Sequence, residues 1–142
     1  MNQLLELKMI HALGGARMNN PEIDGSILQT IKKLLGISPS DDAFDTDIII
    51  DINTAFDRLN TLGIGPEEGF RITDDTTTWS EYLTDGKLID SVKDYVFFST
   101  KLMFDPGASN SFVLDAYQKQ LDKLEFLFNV KSDSIRLKSE ES

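Results

Sequence analysis

Residues 42–70 read DAFDTDIIIDINTAFDRLNTLGIGPEEGF, and the fold turns on this stretch. Ile48, Ile52, Phe56 and Leu59 recur at helical spacing and define one buried stripe. The helix starts near Asp42 or Asp45, where early aspartates complement the positive end of its dipole, and it ends near Leu62-Gly63. Ile49 and Ile50 widen the apolar face, so the helix is expected to be contacted on more than one side. Gly63, Gly65 and Pro66 then break the chain.

Working outward, Ile27, Leu28, Ile31, Leu34 and Leu35 place a preceding helix over Ser26 to Leu35, closed by Gly36 and the Ser38-Pro39-Ser40 turn. Downstream, Phe70 to Thr73 alternates apolar and polar residues and suggests one short strand. Such a strand would need a partner in this chain or in a neighbouring subunit. Thr78-Trp79-Ser80-Glu81 reads as a capping box opening a short helix with Trp79, Tyr82 and Leu83. Trp79 there is a core residue in preference to a ligand platform.

A fourth helix spans Lys87 to Phe104, with Leu88, Ile89, Val92, Tyr95, Val96, Leu102 and Met103 on its core face. After Asp105-Pro106-Gly107, a fifth runs from Ser111 to Asn129, its seam made of Leu114, Tyr117, Leu121, Leu124 and Phe128. At 1.5 Å per residue it is about 30 Å long. Burying the seam contributes on the order of 7–15 kcal/mol before chain entropy is subtracted. The short connection makes these two helices an antiparallel αα-hairpin.

The fold class is therefore mainly α: a small bundle of four to five helices with a C-terminal αα-hairpin and at most one short strand or β-hairpin. Residues 1–25 form an N-terminal arm, 26–130 the helical domain and 131–142 a tail that is mobile when alone. Within the arm, Met18 is the expected natural start. Gly14-Gly15 can be encoded as a ribosome-binding sequence a suitable distance upstream. Recovery of a Met1 peptide from natively produced protein would refute this. The other reading is an arm that orders on a partner.

The chain of 142 residues carries 24 acidic against 14 basic side chains, a net charge of −10, which argues against nucleic-acid binding through clustered Lys and Arg. The acids are concentrated. Asp41, Asp42, Asp45, Asp47, Asp51 and Asp57 are opposed by Arg58 alone within residues 41–58. A solvated acidic surface is the plain reading; a surface that faces nucleic acid without adhering to it is the sharper one. No apolar run is long enough to span a membrane, and the N-terminus lacks the layout of a signal peptide.

Catalytic chemistry lacks its parts. With no cysteine there is no thiolate nucleophile, and the only histidine, His11, lies in the arm, so no Ser-His-Asp arrangement forms without it. Asp45, Asp47 and Asp51 lie two to four residues apart, close to one helical turn, but the calcium-loop glycine and terminal glutamate are missing. No metal and no cofactor is expected. Phe97, Phe98, Phe126 and Phe128 exceed what one small core hides, a signal for a protein–protein surface.

The order LLGI (34–37), FDTDIIIDIN (44–53), LGIGPEEGF (62–70), TTTW (76–79), YVFFSTKLMFDP (95–106) and YQKQLDKLEFLFNV (117–130) resembles the head–tail connector, or head-completion adaptor, proteins of tailed bacteriophages. GPEEGF and TTTW are its specific parts. The resemblance implies a non-enzymatic virion protein at the head–tail junction, present in the host cytoplasm during assembly. It implies a homo-oligomeric ring, commonly of twelve copies, that docks on the portal protein and offers a platform to a stopper or tail-completion protein. DNA would pass nearby without specific binding, and no membrane is involved.

On that analogy Phe126, Phe128, Val130, Ile135 and Leu137 form a candidate portal-contacting segment. Phe70, Arg71, Ile72 and Thr76 mark a candidate inter-subunit or stopper-facing loop. Asp45, Asp47 and Asp51 are a candidate acidic channel face, where like charge would repel phosphate. The competing reading is a monomeric acidic helical regulator that binds a host or phage protein.

Overall fold

The computed structural model describes residues 25–84, 86–104 and 110–141, with the side chains of 135, 136 and 138–141 outside that description. The N-terminal arm with His11 and Met18, and the Asp105-Pro106-Gly107 turn, lie outside the described residues. Among those described are five helices: α1 (Ile27–Leu35), α2 (Asp45–Thr61), α3 (Trp79–Tyr82), α4 (Gly86–Phe104) and α5 (Ser111–Glu141).

Local chemistry sets their ends. The Ser26 hydroxyl accepts the Gln29 N–H at 3.2 Å and caps α1. Its C-terminus closes with the N–H groups of Gly36 and Ile37 on the carbonyls of Lys33 and Lys32. Asp45 and Asp47 occupy the first turn of α2, as the dipole argument requires. The single turn α3 starts with the expected capping box, the Glu81 carboxylate accepting the Thr78 N–H at 2.6 Å.

The predicted stripe of α2, Ile48, Ile52, Phe56 and Leu59, is fully buried and forms the middle of the core. Around it close Ile27, Leu28 and Ile31 from α1, Val92, Tyr95 and Val96 from α4, and Leu121 and Phe128 from α5. Trp79 is buried as expected. Its indole N–H donates to Thr30 Oγ1 at 3.0 Å and its ring lies 6.3 Å from that of Phe56. Helices α4 and α5 are antiparallel: Phe98 meets Tyr117, whereas the earlier Tyr95 meets the later Phe128.

Three features differ from the sequence reading. No strand forms at Phe70–Thr73; the Asn53 side chain supplies the pairing instead, accepting the Ile72 N–H at 2.8 Å and donating to the Ile72 carbonyl at 3.0 Å. The only β-type pairing among the described residues is an antiparallel bridge between Ser26 and Thr78. The stretch from residue 131 is no tail: α5 continues through 31 residues to Glu141 and reaches about 46 Å at the standard rise. Lys32 is fully buried on α1, its ammonium 2.9 Å from Asp45 and donating to the Pro39 carbonyl at 3.3 Å. Counting apolar positions alone hid this α1–α2 tie.

Candidate assembly surfaces

The loop from Gly63 to Thr78 is lashed to the bundle from both sides. Asn60 Nδ2 donates to the carbonyls of Pro66 and Glu67, and the Ile27 N–H donates to Thr77. At Gly65, φ is +87° and a Cβ would fall 2.6 Å from the Tyr82 ring, whose hydroxyl donates to the Ile64 carbonyl. Only glycine allows both the backbone conformation and that approach. A Cβ on Gly63 would collide with Ser132 of α5, so the turn sequence and the extended helix are fitted to each other.

The candidate loop residues divide by exposure. Ile72 is buried and Phe70 packs edge-on against Phe56 and Tyr82, so both hold the loop down. Arg71 faces outward and pairs with Asp57 at 3.0 Å. The Thr76 N–H and hydroxyl both donate to Asp74, which keeps that carboxyl below its ordinary range.

The α5 helix has two apolar faces. Leu121 and Phe128 lie on the inner one. Phe112, Phe126, Val130 and Leu137 fall within about 40° of arc on the opposite side, at 3.6 residues per turn. These four are 81%, 70%, 50% and 55% exposed, against 0% for Phe128. Of the candidate portal segment, Phe126, Val130 and Leu137 are therefore open while Phe128 belongs to the core, and the Ile135 side chain is outside the described residues. Sequence reading missed Phe112. The helical period already places it on the arc of Phe126 within the predicted helix from Ser111 to Asn129.

The three candidate acids do not share one setting. Asp45 is tied to Lys32. Asp47 and Asp51 line an open groove of about 700 Å³ with Phe44, Ile50, Lys101 and Met103. Met103, expected in the core, stands at this rim, 39% exposed. Partial burial, and secondly the charge of Asp47, hold the Asp51 carboxyl above its ordinary value.

The densest polar network joins three elements. Glu125 accepts from Tyr95 at 2.7 Å and from Arg58 at 2.9 Å. The Arg58 hydrogen bond is the main reason Glu125 titrates below the usual carboxylate range, and burial first, then Glu125, pushes the Tyr95 phenol up. This network clamps α2 and α4 to α5. Among the described residues, no group of three or more His, Cys, Asp or Glu side chains is placed to hold a metal ion. No helix among them is long and apolar enough to cross a membrane.

A helical unit with tied-down loops, a wide groove of mixed apolar and charged lining and an outward apolar helix edge is the form of an assembly subunit. The family model described as phage connector protein matches residues 27–134, most of the chain, and the chain belongs to that family. Comparison with curated proteins and with solved structures gave no significant match. The family is structural and non-enzymatic, and membership makes this a bacteriophage connector that assembles with other head and tail proteins.

Proposed function

We propose that the protein is the head–tail adaptor of a tailed bacteriophage, forming a ring of about twelve copies beneath the portal and carrying the stopper or tail-completion protein. The observation that carries this reading is the outer edge of α5. A helix that packs on its own bundle with one face and offers Phe126, Val130 and Leu137 on the other is built to be covered. The C-terminal part of that edge, Val130 and Leu137, is the portal contact. The Gly63–Thr78 loop, presenting Arg71 and Thr76 over the anchored Phe70 and Ile72, faces a neighbouring subunit or the stopper.

The net charge of −10 keeps such a ring from adhering to the DNA that passes through it. The protein works without catalysis or cofactor, in the virion after assembly in the host cytoplasm. Native mass over a concentration series tests the reading. A ladder of 15.9 kDa steps ending in a closed oligomer supports it. A chain that stays monomeric at every concentration, with and without its portal, refutes it in favour of a monomeric regulator.

A further inference from the structure

The groove at the start of α2 and the outer edge of α5 complement each other in charge and in apolar side chains. Asp47 and Asp51 stand one helical turn apart, and so do Lys119 and Lys123, which share the α5 edge with Phe126. Among the described residues, Asp47, Asp51, Lys119 and Lys123 make no ion pair or hydrogen bond within the subunit. In a chain with ten more acids than bases, two unpaired lysines beside an exposed phenylalanine stand out. The groove offers what they lack: two carboxylates beside exposed Ile50 and Met103.

We propose that this groove receives the α5 edge of a second copy of the chain, with Phe126 entering between Ile50 and Met103 while Lys119 and Lys123 meet Asp47 and Asp51. The inference rests on the ring reading above and names the surfaces that would close it. The contact is head-to-tail. The groove uses the first turns of α2 and the last turn of α4, whereas Phe126 follows Glu125, which is held by Arg58 near the other end of α2. From Asp47 to Arg58 is about 16 Å along the helix, which separates Phe126 from the groove within one subunit, with Lys119 and Lys123 between them, since Tyr117 packs on Phe97 and Phe98 of α4. Two separate patches that meet head-to-tail between copies generate a ring where the rotation closes.

Other occupants fit less well. Nucleic acid is repelled by the carboxylates. A small molecule would want an enclosed site, and this groove is open, with Lys101 beside its two acids. Val130 and Leu137, further along α5, stay free for the portal.

The absence of cysteine makes the test direct. The full chain carrying both Ile50→Cys and Phe126→Cys is oxidised beside the two single variants; both positions are exposed, so neither change disturbs the core. Head-to-tail contact gives the double variant a covalent ladder beyond the dimer and gives a mixture of the single variants dimers only. A ladder that stops at two overturns the proposal, because the pairing is then two-fold. Native masses that climb to closed oligomers without any disulfide ladder also overturn it while leaving the ring reading intact. A wild-type chain that stays monomeric at every concentration, with and without its portal, while the double variant gives no ladder, overturns the two together.

Charge reversal gives a second readout. D47K/D51K and K119D/K123D should each weaken self-association about tenfold or more, and the combination should restore it. Unchanged association in either pair of reversals overturns the assignment.

Discussion

Asn53→Ala should strongly destabilise the subunit. Asn53 is buried on that helix and satisfies both backbone groups of Ile72, a residue only 1% exposed. Alanine leaves a buried N–H and a buried C=O without partners. Each costs roughly 1–3 kcal/mol, so the expected loss is about 2–6 kcal/mol, a large share of the ~5–15 kcal/mol that holds a domain of this size. Urea unfolding followed by the fluorescence of Trp79, the sole tryptophan, reads the change at concentrations below the onset of self-association.

Asn53→Asp sharpens the test. Its carboxylate still accepts the Ile72 N–H but faces the Ile72 carbonyl, which raises its folded pKa. Protonation returns a donor, so the deficit of Asn53→Asp relative to wild type should shrink as pH falls through that value and reopen above it. An Asn53→Ala variant within about 0.5 kcal/mol of wild type, at unchanged slope, would refute the clamp.

Phe128→Ala should cost about 3–5 kcal/mol by opening a core cavity. Phe126→Ala, on the outer edge, should leave unfolding within about 0.5 kcal/mol of wild type and weaken self-association in native mass spectra. Gly65→Ala should lower stability by about 1–3 kcal/mol in the same urea assay, since it places a Cβ against the Tyr82 ring at positive φ. Glu125, whose pKa is lowered chiefly by Arg58, contributes stability that is complete above the ordinary carboxylate value and is lost as pH falls through the folded one. Glu125→Gln should remove that part of the acid limb, a change of about 0.2–1 kcal/mol in an acid titration of unfolding.

Where apolar spacing controlled the outcome, the sequence was sufficient. The α2 stripe, the α1 stripe, the α4–α5 hairpin, the Thr78–Glu81 capping box and the burial of Trp79 all follow from period and cap chemistry. The Phe70–Thr73 strand did not form because alternation signals an extended backbone and is silent about what pairs with it. Here a side-chain amide from α2, nineteen residues earlier, took the place of a strand. The end of α5 was misjudged because residues 131–141 have few apolar side chains, although nothing in them breaks a helix. The helix is instead fitted against the turn, where Ser132 would meet any side chain at position 63.

By itself, then, the sequence determined the helix positions and most of the inner faces, because these depend on residue type and near-neighbour spacing. Tertiary structure alone decided which surfaces remain for a partner. Phe126 and Phe128 are two residues apart and equally aromatic, yet one is 70% exposed and the other fully buried, because α5 meets the bundle along a single azimuth. Asp45 and Asp47 differ in the same way: Lys32 from α1 reaches the first, and the second opens onto a groove that exists only once α1, α2 and α4 have packed.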